Sequence, residues 1–131
     1  ADWVYEEEFS FVRAFDWNAD GTRIAYIRFD ESQVPEFSMT SFRKLLYPET
    51  ITFKYPKAGE RNAAVSLHIY ELAGATSKRI DVGTYNDFYI PRIKWTRNTA
   101  TLSAQILNRH QNQLDLLFID AASGKVTTVL T

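Results

Sequence analysis

The sequence predicts an all-β fold: about two four-stranded antiparallel blades of a β-propeller, preceded by a short acidic helical turn. From residue 11 onward, short runs of alternating apolar and polar residues are separated by turn residues, which is typical of antiparallel strands. An aromatic-ended strand followed by a polar turn occurs twice, ending at Trp17 and at Trp95. When the long insertion between them is left out of the count, Trp17 and Trp95 are separated by close to the roughly 40 residues of one propeller blade.

The opening segment, residues 1–10, is predicted to be helical and carries three consecutive glutamates at positions 6–8. Asp2 can cap the first free amides, and Tyr5 and Phe9, four residues apart, would lie on one face against a core. Because successive helical side chains point about 100° apart, two neighbouring glutamates can flank one point in space. These residues alone leave two interpretations open: a solvated acidic turn, or a binding site for a cation such as a primary ammonium.

The first blade is predicted to span residues 11–83 and to contain a long arm at about residues 31–62. Its strands are expected at residues 11–17, 22–29, 64–72 and 78–82, with a hairpin turn that ends in Asp20-Gly21. The arm contains three prolines, several aromatic residues and one short strand at residues 51–55. Long ordered loops usually carry function or contacts, so the arm is either a docking surface or folds back on its own domain.

The second blade is predicted to span residues 84–131. Its strands are expected at residues 89–95, 101–107, 113–120 and 125–130. An Ala-Ala-Ser-Gly turn precedes the last of these strands. Two unequal copies of a four-stranded unit, each opening with an aromatic-ended strand and a polar turn, favour propeller blades.

Composition excludes several functions. The net charge of −1 over 131 residues gives no electrostatic footprint for nucleic acid. With no cysteine, disulfides, thiol catalysis and cysteine zinc sites are excluded, and His68 and His110 are too few for a histidine metal site. We therefore predict no metal and no cofactor. No apolar run approaches the length of a membrane span, and the start at Ala1 leads us to expect a piece of a longer protein.

Several strings occur in a distinctive order: Asp-Trp-Val-Tyr-Glu-Glu-Glu at residues 2–8, Val34-Pro35, Tyr47-Pro48, and Tyr-Pro-Lys-Ala-Gly at residues 55–59. Together they resemble the N-terminal β-propeller of dipeptidyl peptidase IV and its relatives, including fibroblast activation protein. The resemblance is dense from residue 2 to residue 62 and thinner beyond. The lack of cysteine and the short link between the glutamates and Trp17 are more similar to a bacterial member.

The resemblance implies a role for the glutamates. In this family a glutamate pair on a short helix holds the free α-ammonium of the peptide substrate, and by motif position the pair is Glu7 and Glu8, whereas Glu6 is structural. Holding the amino terminus sets the register, so that Xaa-Pro or Xaa-Ala dipeptides are removed from free N-termini. The family's Ser, Asp and His triad belongs to a C-terminal α/β-hydrolase domain of the same chain. We therefore expect no catalytic residue here and no activity from these residues alone.

The resemblance also implies partners. The arm joins a homodimer contact in the family, with Tyr47 as the matching aromatic residue, and the parent protein is expected to be secreted or periplasmic. Two alternatives stay open. One is a non-catalytic propeller used as a protein-interaction platform. The other is a related tripeptidyl or acylaminoacyl peptidase, although a glutamate pair disfavours the latter because a blocked terminus has no ammonium.

Overall fold

A computed structural model describes residues 2–43 and 46–131. Within these ranges the chain forms one helix followed by ten strands. The helix is α1 (Trp3–Phe9), and the strands are β1 (Phe15–Trp17), β2 (Arg23–Asp30), β3 (Glu36–Ser41), β4 (Glu49–Lys54), β5 (Ala64–Glu71), β6 (Thr76–Ile80), β7 (Phe88–Trp95), β8 (Thr101–Asn108), β9 (Leu114–Asp120) and β10 (Val126–Leu130).

The strands form two four-stranded antiparallel sheets and a separate two-stranded hairpin. The first sheet has the order β1-β2-β5-β6, the second has the order β7-β8-β9-β10, and β3 pairs with β4. Alternation explains the sheets: Val65, Leu67 and Ile69 are buried on β5, while the residues between them are half-buried. The prediction of an all-β fold with two four-stranded units is confirmed.

The two sheets share one core and are joined at the strands that start them. Buried side chains from both sheets form a single cluster, which includes Ile27 and Leu67 from the first sheet and Leu102 and Leu117 from the second. At the junction, the Trp95 amide donates to Asp16 Oδ2 at 3.0 Å and the Trp95 indole donates to the Asp16 carbonyl at 2.9 Å. Strands β1 and β7 are therefore neighbours, as inner strands of adjacent propeller blades would be.

The first predicted strand was too long. Residues 11–17 were expected to be extended, but only Phe15–Trp17 pair with β2. The Phe11 amide instead donates to the Tyr5 carbonyl at 3.0 Å, so its backbone completes the end of α1. The Phe11 ring is buried beside that helix, because an aromatic side chain here gains more from the core than from a strand edge.

The arm differs from prediction in having two strands. The strand expected at residues 51–55 corresponds to β4, and β3 pairs with it in register from Glu36 opposite Lys54 to Ser41 opposite Glu49. Strand β3 escaped prediction because its sequence, Glu-Phe-Ser-Met-Thr-Ser, has few large apolar residues. Val34 at the base of the arm is buried, and its carbonyl accepts from Lys54 Nζ at 3.1 Å. The arm is therefore an ordered hairpin with a fixed base.

Candidate functional site

Helix α1 begins and ends with local hydrogen bonds. Asp2, in an extended conformation and only 2% exposed, accepts the Val4 amide at 3.0 Å as the N-cap. Ser10 adopts a left-handed conformation with φ of 51°, which turns the chain so that the Phe11 amide reaches the Tyr5 carbonyl. The expected short helix is present, and it occupies Trp3–Phe9 within the predicted segment 1–10.

Tyr5 joins α1 to the second sheet. Its ring is 1% exposed and makes edge contacts with the rings of Phe9 (5.4 Å between centroids), Phe29 (4.9 Å) and Tyr89 (5.9 Å). Its hydroxyl accepts a hydrogen bond from the Ile90 amide at 2.9 Å. Burial of the phenol raises the pKa of Tyr5 far above its ordinary value, so the hydroxyl stays neutral.

The three glutamates of α1 lie on its exposed side. Glu6, Glu7 and Glu8 are all exposed, while Val4 and Tyr5 on the same helix are buried. Within residues 2–43 and 46–131, the four ion pairs are Arg13–Asp16, Arg23–Glu71, Lys54–Glu36 and Arg109–Asp87, so none involves these glutamates. The helix therefore presents carboxylates that form no ion pair with any other residue in the described part of the chain.

Glu8 is near enough to Tyr89 for its charge to act on the Tyr89 phenol. Burial is the main cause of the raised pKa of the Tyr89 phenol. Arg109 and Asn62 lower this pKa, and the charge of Glu8 adds a small further rise. The Tyr89 hydroxyl accepts from Asn62 Nδ2 at 2.6 Å. This bond connects the end of the arm segment to β7 next to the acidic helix.

Arg109 fixes the backbone beyond Tyr89. Its guanidinium pairs with Asp87 at 3.1 Å and also donates to the Glu60 carbonyl. These two residues and Arg109 line a cavity of about 380 Å³ together with Gly59, Arg61 and His110. Glu7 and Glu8 do not line this cavity, nor the larger one of about 470 Å³ around Asn62, Arg79 and Phe88.

The base of the arm packs on the start of α1. The rings of Trp3 and Tyr55 lie 4.3 Å apart between centroids. Beside them, burial raises the pKa of the Glu31 carboxyl above its ordinary value, and a hydrogen bond with the Asp2 carboxylate raises it further. Tyr55 and Glu31, both distant from α1 in sequence, therefore hold the N-terminal end of the helix.

Tyr47 lies apart from the glutamates. It is 77% exposed and occupies the connection between β3 and β4 at the tip of the arm. Since β3 and β4 have six residues each, the arm extends about 20 Å from its base. The structure therefore brings Glu7 and Glu8 together on one helix and leaves Tyr47 on a separate surface.

His68, one of the two histidines, has structural contacts. Its ring stacks on Tyr26 at 5.1 Å with an angle of 11° between the planes, and its Nε2 is 2.9 Å from Ser66 Oγ. Burial and the nearby Arg79 and Arg28 lower the pKa of the imidazole. Among the described residues no group of three or more acidic, histidine or cysteine side chains could hold a metal ion.

Sequence comparison shows the family. The family described as "Dipeptidyl peptidase IV (DPP IV) N-terminal region" matches residues 1–131. The chain belongs to this family. The crystal structure of Porphyromonas gingivalis dipeptidyl peptidase 4 superposes with a TM-score of 0.93 at 43% identity, over 98% of this chain and 18% of that one. The dipeptidyl peptidase IV resemblance inferred from the sequence strings is thus confirmed.

Two curated relatives differ in the activity that their names state. Dipeptidyl peptidase 4 of Felis catus is 37% identical over 95% of this chain and 18% of its own length. Inactive dipeptidyl peptidase 10 of Mus musculus is 36% identical over 95% of this chain and 16% of its own length. The chain therefore spans less than a fifth of the length of these relatives. Among the residues that the structure describes, no helix is long and apolar enough to cross a membrane.

Proposed function

We propose that this chain is part of the substrate-recognising propeller of a serine-type dipeptidyl peptidase. The protein removes Xaa-Pro and Xaa-Ala dipeptides from free N-termini. The 11–83 and 84–131 regions are two successive blades, and a C-terminal α/β-hydrolase domain supplies the Ser, Asp and His triad. Membership of the dipeptidyl peptidase IV family supports this function. The parent protein is proposed to be a secreted or periplasmic bacterial homodimer.

Glu7 and Glu8 bind the α-ammonium of the substrate. The observation that carries this proposal is a capped helix that keeps its aromatic side in the core and leaves both carboxylates exposed, with no ion pair to another described residue. An ammonium offers three donors, and each hydrogen bond to a charged partner is worth about 1.5–3 kcal/mol. Because the amino terminus is held at a fixed place, the peptide bond after the second residue is the one presented to the nucleophile.

The test is a pair of charge-removing substitutions in the full-length protein. Glu7→Gln and Glu8→Gln should each raise KM for a chromogenic Xaa-Pro substrate by about tenfold or more, since each removes one charge-assisted bond. Glu6→Gln is the matched control, because it makes the same change of charge on the same helix and should leave KM within about twofold. Unchanged KM in both test variants would refute the ammonium-binding role.

The chain itself should be inactive. Under this proposal these residues position the substrate and do no bond chemistry, so the 131-residue chain should release no product from Xaa-Pro substrates. Hydrolysis by the purified chain, above that of a mock purification, would contradict the assignment of the triad to another domain.

A second candidate function is a non-catalytic propeller that serves as a protein-interaction platform. One relative of similar identity is named an inactive dipeptidyl peptidase, and the arm exposes large apolar residues such as Phe42 and Tyr47. The coding sequence beyond residue 131 separates the two functions. A Gly-x-Ser-x-Gly segment followed by Asp and His supports the peptidase, and a segment without the serine supports the platform.

A further inference from the structure

Helix α1 cannot hold its own orientation. It has seven residues, whereas isolated helices shorter than about 12 residues are marginal in water. The direction in which Glu7 and Glu8 point is therefore set by what the helix packs against.

The strongest of these contacts comes from Tyr5. It is the most buried residue of α1, and its hydroxyl makes the one hydrogen bond between a side chain of α1 and the second sheet among the described residues. The residues joined, Tyr5 and Ile90, are 85 positions apart in sequence. Phe9 and Tyr89 flank the bond with their rings, so it is shielded from water.

The partner of Tyr5 is available because β7 is irregular at this point. Tyr89 pairs with Leu107 and Arg92 pairs with Gln105, so β7 has one extra residue between these pairs. Pro91 has no amide hydrogen, and the Ile90 amide donates to Tyr5 rather than to β8. The Ile90 amide is buried, and without the Tyr5 hydroxyl it would lose its acceptor.

We propose that Tyr5 is the positioning residue of the ammonium site: its hydroxyl, bound to the Ile90 amide, fixes the orientation at which α1 presents Glu7 and Glu8. This inference rests on the proposed function, because it assigns a role within the same site. Tyr5 does not touch the substrate. It acts through the helix, and its loss displaces two carboxylates whose placement determines affinity for the amino terminus.

The first experiment is Tyr5→Phe in the full-length protein, which keeps the ring and removes the hydroxyl. KM for an Xaa-Pro substrate should rise about tenfold while kcat changes by less than about twofold, a loss of about 1.4 kcal/mol in binding. Tyr85→Phe is the matched control. It also removes a phenol hydrogen bond, that of Tyr85 to Asp115 at 2.7 Å, and both residues lie outside α1. An unchanged KM for Tyr5→Phe, or an equal rise for Tyr85→Phe, would overturn the inference.

The second experiment is a double-mutant cycle. In a background that carries Glu7→Gln and Glu8→Gln, Tyr5→Phe should raise KM by less than about twofold, because the groups that it positions are already impaired. The same tenfold rise in both backgrounds would show a general structural role and overturn the inference. Glutamate variants with normal KM would instead overturn the proposed function, so the two failures are distinguishable.

A third measurement needs no variant, so it can be made even if Tyr5→Phe does not fold. In the wild-type protein the Ile90 amide should exchange with solvent deuterium as slowly as the amides of β8, because it is buried and bonded to Tyr5. Rapid exchange at Ile90 would contradict the hydrogen bond on which the inference depends.

Discussion

The ring of Trp3 at the start of α1 packs against the ring of Tyr55 at the base of the arm, with 4.3 Å between the centroids. Phe37 on β3 also contacts Tyr55, at 5.5 Å. A small aromatic group thus connects the hairpin of the arm to the helix that carries the glutamates. Substitutions at the base of the arm should therefore also affect α1.

This contact predicts energetic coupling between Trp3 and Tyr55. In a double-mutant cycle with Trp3→Leu and Tyr55→Leu, urea unfolding should give a coupling energy of about 0.5–1.5 kcal/mol, as expected for an aromatic pair. Phe42→Leu is the control, since Phe42 is 82% exposed and its substitution should change the free energy of unfolding by less than about 0.5 kcal/mol. Additive effects at Trp3 and Tyr55 would show that the two rings do not support each other.

The partly buried carboxyl of Glu31 predicts a pH dependence of stability. Its pKa is raised in the folded protein, by burial first and by Asp2 second, while Lys54 opposes the rise. A carboxyl group with a raised folded pKa favours folding below its unfolded pKa of about 4.3, and this contribution is lost as the pH rises through the folded value. Glu31→Gln imitates the protonated form and should lose less stability than the wild type between pH 4 and pH 7, as measured by urea unfolding.

The control for this pH dependence is Glu49→Gln, which changes an exposed glutamate of the arm. Its unfolding free energy should follow that of the wild type at each pH. If the unfolding free energy of Glu31→Gln also followed that of the wild type at each pH, the raised pKa of Glu31 would be contradicted.

The junction between the sheets predicts unequal roles for the two repeat tryptophans. Trp95 is 7% exposed and its indole donates to the Asp16 carbonyl, whereas Trp17 is 48% exposed. Trp95→Phe should lower the free energy of unfolding by about 1–2 kcal/mol, because a hydrogen bond and packing volume are lost. Trp17→Phe should change it by less than about 0.5 kcal/mol. Equal losses in thermal or urea unfolding would refute this ranking.

The proposed dimer contact predicts a change in assembly at Tyr47. Because Tyr47 is 77% exposed, Tyr47→Ala should leave the free energy of unfolding within about 0.5 kcal/mol of the wild type. In the full-length protein it should lower the dimer fraction, as measured by size-exclusion chromatography with light scattering. Val12→Ala, at a side chain that is 91% exposed and outside the arm, is the control and should leave the dimer intact. A dimer fraction unchanged by Tyr47→Ala would remove Tyr47 from the interface.

The parts of the fold that local spacing determines could be predicted from the sequence. Asp2 caps α1 and Tyr5 meets Phe9 because these relations act over two to four residues. The two four-stranded sheets follow from alternation and from turn residues such as Gly21, whose φ is 70°. Strand β3 was missed because its polar composition gives little alternation.

The contacts that place the candidate site could not be predicted in the same way. No spacing rule connects Tyr5 to Ile90 or Trp3 to Tyr55, because these pairs meet only after the sheets and the arm have folded. The sequence strings identified Glu7 and Glu8 through resemblance to a family, whereas the chemistry of three adjacent carboxylates alone favoured a solvated turn. Their role as an ammonium site, like that of Tyr47 in a dimer, stays a prediction.

The irregularity of β7 beside Pro91 has a consequence for the order of folding. Only when β7 and β8 have paired around the bulge is the Ile90 amide held within the sheet without an acceptor on β8. Closing a loop of 85 residues is entropically costly, so the bond to Tyr5 forms after the local hairpins of the second sheet. Although α1 comes first along the chain, it should be among the last elements to become ordered, and a nascent chain would acquire its exposed glutamates in their final direction only once β8 had emerged.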